Sequence, residues 1–304
     1  IDPLTGTSWG TTNINAIDYL SASSTWVIVG DVGKVAYFTE GATTWELSIL
    51  PGADGNTMPL PPDAPEDIPP GTEGISAGWG ADPVRAIGSG NNIWMIGGGN
   101  NSSGVSVVSL LARSTDLAPI DGSAWEFLYL GSSWGDNYIS DVQYGNGVWI
   151  AVGSGGAAAY SLNDGNSWTM ITLPQPWGSS NINNISYEYG VWTIVGDAGK
   201  LATSTNGITW MMGNNTSSLS TAVLRGSAHG ESINGVEHII VGDTNRISYS
   251  NSEIQSLPSA TVISTMSAGS LIIELDSSIV TIWEEDSNKT VLIVFSTSKS
   301  IECE

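Results

Sequence analysis

Short apolar runs alternate with glycine-rich and polar turns along most of the chain, a pattern that predicts β-strands. Between Gly147 and Trp168, a tryptophan-led apolar run, a turn of glycines, a second apolar run and a polar turn follow one another. The runs have the length of strands, and turns this short join antiparallel neighbours. Closely similar segments occur at 26–45 and 192–210, and a looser one at 94–125. The chain is therefore built from an internal repeat.

Twelve of the thirteen tryptophans fall into three columns that mark this repeat. The first column, in Trp-Gly pairs, is Trp9, Trp79, Trp134 and Trp177. The second, which opens the apolar run, is Trp26, Trp94, Trp149 and Trp192. The third, which closes the polar turn, is Trp45, Trp125, Trp168 and Trp210. The first two columns are 15 or 17 residues apart in every unit, a regularity that chance does not produce.

Each unit predicts four antiparallel strands, which is the make-up of a propeller blade. A short strand with apolar residues three apart, such as Ile139 and Val142, lies between the first two columns. The second-column tryptophan opens the next strand, a third strand ends near Tyr160, and a fourth begins at the third column. A fifth unit, at 223–250, lacks the closing tryptophan. We therefore predict an all-β fold, a β-propeller of five or six four-stranded antiparallel blades with a short β-rich C-terminal segment.

Two segments depart from the repeat. Residues 51–74 are rich in proline and acids, which predicts an extended surface loop. After residue 255 the tryptophan columns end, although three β-prone runs remain. The predicted organisation is a propeller over 1–255 and a C-terminal segment over 256–304. This segment is either a closing blade or an appendage that docks on neighbouring subunits, and its lack of marker residues favours the appendage.

The polar turn SLNDGNSW that ends at Trp168 resembles the Asp-box, the repeat of bacterial neuraminidases. Asn163 and Asp164 together occupy its acidic position, and Gly165 its glycine. In that family the motif joins the third and fourth strands of a blade and is structural, so the resemblance implies a fold and not a reaction. Residues 144–168 are also similar to propeller repeats of tailed phages and large DNA viruses, and to photosystem-assembly propellers. Asp164, Gly165 and the second and third tryptophan columns are thus predicted structural residues.

Charge and composition argue against several classes of partner. Thirty acids against eight bases give a net charge of −22, which disfavours nucleic acid because its binding depends on basic side chains. No apolar run is long enough for a membrane helix, so membrane insertion is not predicted. Cys303 is the single cysteine and there are two histidines, which excludes a disulfide and a clustered Cys/His metal site. No cofactor is predicted, with calcium binding as an alternative explanation of the acidity.

A sialidase-type hydrolase would need three converging arginines and a tyrosine nucleophile. The chain has four arginines, Arg85, Arg113, Arg225 and Arg246. Arg85 and Arg225 lie on first strands, where they could form an inward clamp. The matching positions of the other units hold Asn15, Ser140 and Asn183. The third arginine is therefore missing, no spacing singles out the carboxylate pair of another glycosidase, and no catalytic residue is predicted.

One face of the disc should collect the loops that precede the first strands and follow the second strands. This face would carry the first-column tryptophans together with three aspartates in Gly-Asp turns, Asp31, Asp197 and Asp243. Aromatic rings beside carboxylates commonly hold sugars by stacking and hydrogen bonding, which predicts a glycan- or surface-binding face. The alternative is that the first-column tryptophans pack blade against blade.

These observations predict a non-catalytic structural or adhesion module, extracellular or on a virion surface. Its expected partners are a cell-surface glycan or receptor and neighbouring structural subunits, the latter through the C-terminal segment. Two alternatives stay open, a secreted sialidase-like glycoside hydrolase and an assembly-factor propeller that docks a protein partner.

Overall fold

The computed structural model describes residues 9–50, 79, 82–99, 109–116, 124–128, 130–213, 221–232, 235–243, 246–250, 270–275, 278–284 and 291–293. Within these ranges the chain forms six antiparallel sheets whose strands pair in chain order. The first four sheets have four strands each, and the fifth and sixth have three. The acidic insertion predicted at 51–74 lies outside the described residues.

The strands follow the predicted units. The first sheet contains β1 (Ile14–Leu20), β2 (Thr25–Gly30), β3 (Lys34–Thr39) and β4 (Glu46–Ile49), and the second β5 (Val84–Gly90), β6 (Ile93–Gly98), β7 (Leu110–Ser114) and β8 (Glu126–Leu128). The third contains β9 (Ile139–Gly145), β10 (Val148–Gly153), β11 (Ala158–Ser161) and β12 (Thr169–Met170), and the fourth β13 (Ile182–Glu188), β14 (Val191–Gly196), β15 (Leu201–Ser204) and β16 (Met211–Met212). The fifth contains β17 (Leu224–Ser232), β18 (Gly235–Gly242) and β19 (Arg246–Ser250), and the sixth β20 (Ser270–Leu275), β21 (Ser278–Glu284) and β22 (Val291–Ile293).

Consecutive sheets converge on their first strands. Strand β1 contacts β5, β5 contacts β9, β9 contacts β13, and β13 contacts β17. Each later first strand also contacts the second strand of the sheet before it. Antiparallel sheets that meet at their first strands in chain order are the blades of a propeller. The all-β prediction with four-stranded blades is therefore confirmed, and the number of blades in the complete ring stays a prediction.

The second-column tryptophans lie between blades. Trp94, Trp149 and Trp192 are fully buried, and each belongs to a cluster that also contains apolar side chains of the preceding blade. In the third column Trp125 and Trp210 are buried, whereas Trp45 and Trp168 are half-buried. Burial of rings this large contributes much of the apolar driving force at each junction.

Trp26 departs from its column, because 41% of this residue is exposed. The equivalent tryptophans of the next three blades pack on the blade before their own, and within the described residues Trp26 lacks that cover. One neighbour is retained: the ring of Tyr19 lies 4.7 Å from that of Trp26, as Tyr144 lies 5.1 Å from Trp149. The prediction of a core position is therefore wrong for Trp26 within the described residues.

An asparagine organises the polar turn that precedes Trp168. The Asn163 side-chain oxygen accepts hydrogen bonds from the Ser167 N–H (3.0 Å) and the Ser161 hydroxyl (2.9 Å). The Trp168 indole N–H donates to the Gly165 carbonyl (3.0 Å), and Gly165 has a φ of 85° that favours glycine. The resemblance to the Asp-box assigns the acidic position to Asn163 and Asp164 together. In the structure, Asn163 alone binds the backbone amide of this turn.

Asp164 has a different role from the one predicted. Its carboxylate accepts hydrogen bonds from the Asn91 side chain (3.0 and 3.1 Å), and its carbonyl accepts one from Arg113 (2.6 Å). Asn91 and Arg113 belong to the preceding blade. Asp164 is therefore a contact between blades and not the residue that holds its own turn, which corrects the prediction.

Replacing Asn206 by alanine should lower the free energy of unfolding by about 1–2 kcal/mol. Its side-chain oxygen accepts hydrogen bonds from the Ile208 and Thr209 N–H groups (2.9 and 2.8 Å) and from the Ser204 hydroxyl (3.0 Å), as Asn163 does in the third blade. Denaturant unfolding measures the change. The neighbouring Thr205→Ala variant is the control, and an equal loss in both variants would contradict the assigned role.

Candidate binding site at the propeller mouth

Backbone hydrogen bonds tie the loop after each second strand to the loop before the first strand of the same blade. The N–H groups of the three predicted aspartates donate across this gap at 2.8–3.1 Å, Asp31 to Asn13, Asp197 to Asn181 and Asp243 to Val223. We call this end of the blades the mouth. The structure thus places all three aspartates at equivalent positions of the mouth.

Asp31 is held by two asparagine side chains. Its carboxylate accepts hydrogen bonds from Asn13 (2.8 Å) and Asn15 (2.9 Å). The same Asn15 amide donates to the Val84 carbonyl of the next blade (2.8 Å). The hydrogen bond from Asn15 is the main cause that lowers the pKa of Asp31, so this carboxylate is ionised and fixed in orientation.

Asp197 repeats this arrangement in the fourth blade. Its two carboxylate oxygens accept hydrogen bonds from Asn181 and Asn183, both at 2.9 Å. Asn183 also donates to the Leu224 carbonyl of the fifth blade (2.8 Å), and Asn181 accepts from the Gly155 N–H of the third (3.0 Å). The loops of three successive blades are therefore joined through one carboxylate.

In the fifth blade an arginine replaces the asparagine pair. The Arg225 guanidinium donates to both oxygens of Asp243, each bond measuring 2.9 Å. This pairing raises the pKa of Arg225 and lowers that of Asp243. Both side chains are exposed, so the pair contributes little to stability and presents a fixed charge pair at the surface.

Arg85 occupies the same strand position in the second blade. Its Nε donates to the Gly99 carbonyl (3.2 Å), and its guanidinium carbon lies 4.7 Å from the centre of the Tyr138 ring in the third blade. This is the geometry of a cation–π contact. The guanidinium is thus held flat against an aromatic ring at the mouth.

Side chains from five blades act on one another at the mouth. Arg85 in the second blade helps to lower the pKa of Asp31 in the first. Arg225 in the fifth blade has its pKa raised in part by Asp197 in the fourth and Tyr138 in the third. Together with the contact between Arg85 and Tyr138, these effects link the five blades at the mouth.

The first-column tryptophans do not belong to the surface of this site. Trp9 is 3% exposed, Trp134 1%, and Trp79 and Trp177 0%. Three of the indole N–H groups donate to the carbonyl three residues later, Trp9 to Thr12, Trp134 to Asn137 and Trp177 to Ser180. The rings lie beneath the loops that open each blade and cannot stack on a ligand. The predicted aromatic part of the binding face is therefore wrong, and the packing alternative describes these residues.

The arginines are not arranged as a sialidase triad within the part of the chain that the structure describes. Arg85 and Arg225 reach the mouth, but the side chain of Arg246 lies outside the described residues. Arg113 lies at the opposite end of the blades, where it pairs with Glu126 at 2.9 Å. The remaining first-strand positions at the mouth hold Asn15, Ser140 and Asn183.

Sequence reasoning missed two residues, Tyr138 and Asp141. Tyr138 carries no motif and is recognised by the ring contact alone. The Asp141 carboxylate accepts hydrogen bonds from the Val142 and Ile185 N–H groups (2.8 and 3.0 Å) and from Asn184 (2.7 Å). Burial raises the pKa of Asp141 to about 7. The sequence did contain a sign of this contact between blades, because Asp141 is an acidic residue among the apolar residues of a first strand.

Two further features bear on chemistry. Among the described residues, no three His, Cys, Asp or Glu side chains are grouped so that they could hold a metal ion. Across the same ranges, none of the helical segments has the length and apolar character that crossing a bilayer requires.

Solved structures share this architecture. No protein-family model matches the chain, and no curated protein matches it. YCF48 bound to D1 peptide matches with a TM-score of 0.54 and 14% identity over 93% of this chain and 81% of that one. YCF48 from Cyanidioschyzon merolae matches with a TM-score of 0.56 and 14% identity over 93% and 85%. The chain is a β-propeller. The WD40 propeller domain of Doa1 also matches, with a TM-score of 0.52 and 10% identity over 93% and 82%, and identities this low show the propeller fold alone.

Proposed function

We propose that this β-propeller is a non-catalytic binding module that docks a segment of a partner protein across its mouth. The convergence of polar side chains from five blades carries the proposal. Their orientations are set by hydrogen bonds within the protein, so little further ordering is needed when a ligand binds. YCF48, one of the matched propellers, is bound to D1 peptide, which supports a peptide as the kind of ligand that such a fold can hold.

The charges at the mouth favour a segment that contains lysine or arginine. Asp31 and Asp197 are held by neutral asparagine side chains, whereas the charge of Asp243 is balanced by Arg225. The chain as a whole carries a net charge of −22, which attracts basic partners over a longer range. Charge complementarity of this kind sets specificity and the rate of association.

A glycan ligand has less support, because burial of the first-column tryptophans removes the rings on which a sugar would stack. A sialidase-like glycoside hydrolase is the alternative that a turnover assay tests. The extracellular or virion location, and attachment to neighbouring subunits through 256–304, stay predictions. They suit an adhesion or assembly role for the same protein-binding mouth.

An array of immobilised peptides of varied net charge tests the proposal. We expect peptides with lysine or arginine to bind, and the Asp31→Asn and Asp197→Asn variants to bind them about tenfold more weakly each, the loss of about 1.4 kcal/mol of a charge-assisted contact. Glu126→Gln makes the same change of charge at the opposite end and is the matched control. Thermal unfolding checks that each variant is folded.

Three outcomes would contradict the proposal. Equal peptide binding by the aspartate variants and by Glu126→Gln would place the ligand away from the mouth. Binding to a glycan array in place of peptides would favour the glycan prediction. Turnover of fluorogenic glycosides would make the propeller an enzyme.

A further inference from the structure

In the second to fourth blades, one face of the blade is covered by the blade before it. In the third blade this face carries Ile139, Val142 and Trp149, each at most 1% exposed. The cover comes from the second and third strands of the preceding blade, including Met95 and Leu111. The equivalent residues of the second and fourth blades are also buried, namely Val84, Ile87, Trp94, Ile182, Ile185 and Trp192.

The first blade presents the same face without this cover. Ile14 is 50% exposed, Ile17 56% and Trp26 41%. Each of these positions is an interface residue in the blades that follow, so the open face of the first sheet continues an established type of interface. We call these three residues the open face. Adjacent large apolar side chains exposed in this way mark a surface that another element covers.

The sixth sheet has the connectivity of a covering blade. Strands β20, β21 and β22 pair antiparallel in chain order, as the first three strands of every other blade do. Leu275 at the end of β20 pairs with Ser278 at the start of β21, as Gly145 pairs with Val148 in the third blade. The sixth sheet therefore repeats the hairpin that begins a blade.

In the register of this hairpin, apolar residues stand at the strand positions that contact the next blade in the rest of the propeller. Counted from the turn, Val280 and Ile282 take the positions that Ile150 and Val152 take in β10. Ile150 and Val152 belong to the cluster that covers the fourth blade. In a blade, these two register positions thus serve the interface with the blade that follows.

We propose that the sixth sheet is the closing blade, which packs against the open face of the first sheet and joins both ends of the propeller into one ring. The fold comparisons support this assignment. The match with YCF48 covers 93% of the chain, whereas residues 1–269, which precede the sixth sheet, make up about 88% of it. The matched part of the chain therefore extends beyond residue 269. This inference replaces the appendage that the missing tryptophans favoured, and it does not depend on what the mouth binds.

Chemical crosslinking of the full chain tests the closure. With the native thiol removed by Cys303→Ser, Ile17→Cys and Val280→Cys are combined and treated with a short bismaleimide that spans the roughly 10 Å between packed sheets. We expect a crosslink within one molecule, identified by mass spectrometry of the joined peptides. Ile17→Cys combined with Leu162→Cys, an exposed residue of the third blade, is the control pair and should not crosslink.

A rate measurement covers the case in which the double variant folds poorly. The maleimide labelling rate of Ile17→Cys alone should rise about tenfold or more when Val280→Asp and Ile282→Asp are added, while the labelling rate of Leu162→Cys should not change. Equal rates for Ile17→Cys in both backgrounds would overturn the closure. A crosslinked dimer would show that a second copy covers the open face, and two singly labelled thiols without a crosslink would show an appendage, so either result also overturns it.

Discussion

Replacing Trp177 by alanine lowers the free energy of unfolding by about 3–5 kcal/mol. The indole is fully buried in the cluster between the third and fourth blades, and its N–H donates to the Ser180 carbonyl at 3.1 Å. Truncation removes a large apolar ring, leaves a cavity and deprives a carbonyl of its donor. Denaturant unfolding followed by circular dichroism measures the loss.

Tyr189→Ala is the matched control, because it removes an aromatic ring that is 51% exposed in the same blade. This variant should unfold within about 0.5 kcal/mol of the parent protein. The opposite result for Trp177→Ala, with stability kept but ligand binding lost, would restore the first-column tryptophans to the binding face.

A histidine pair of the fifth blade, next to Glu188 of the fourth, contributes a term to stability that acid removes. The rings of His229 and His238 stack at 4.0 Å. Burial, together with the charge of His229, lowers the pKa of His238 to about 3. Because this folded-state pKa lies below the ordinary value of about 6.5, the stability is fully present above pH ~6.5 and falls with pH, with a limiting slope of about 1.4 kcal/mol per pH unit.

Glu188 adds to this acid sensitivity. Its carboxylate accepts a hydrogen bond from the His229 backbone N–H and lies 3.3 Å from His229 Nδ1. Burial alone would raise the pKa of Glu188, but these contacts with His229 outweigh it and lower that pKa. Stability gained from a carboxyl with a lowered pKa is likewise lost as the pH falls. Asp141 acts in the opposite direction, because burial raises its pKa to about 7 and its contribution is lost as the pH rises.

A variant that restores the pattern of the other blades isolates the histidine effect. In the third blade the pair is Tyr144 and Trp149, and the facing residue of the preceding blade is Gly90. The triple variant Glu188→Gly, His229→Tyr and His238→Trp recreates that arrangement and keeps Asp141. The free energy of unfolding of the variant, taken relative to that of the parent protein at the same pH, should rise as the pH is lowered from about 7 to about 4. Parallel curves would assign the acid sensitivity to other groups.

Much of the fold could be predicted because large buried rings recur at a fixed phase. The second-column tryptophans must face a neighbouring blade, so their spacing reveals the strands and the repeat together. The same logic fails at Trp26, since the sequence of one unit does not say whether a blade precedes it. The role of Asp164 could not be predicted either. Asn163 and Asp164 are adjacent polar residues, and only the structure shows that Asn163 is the one that holds the turn.

The site was harder to predict because its contacts join different blades. Asp31 and Asp197 were recognised from their Gly-Asp turns, which are local in sequence. Asp141 and its partner Asn184 are 43 residues apart, and no pattern within one unit links them. Contacts of this kind form only when the blades are assembled, so the sequence of a single unit does not reveal them. Tyr138 likewise belongs to no motif that would have identified it.

The hydrogen bonds that link neighbouring first strands have a consequence for how such a protein can change in size. The second residue of the first strand donates to the carbonyl that opens the next first strand at three junctions, from Asn15 to Val84, Ser140 to Ile182 and Asn183 to Leu224. Each bond joins the same two positions of the unit. A duplicated blade would bring its own donor and its own acceptor. Gene duplication could therefore add a blade whose two new interfaces are formed by the same hydrogen bond.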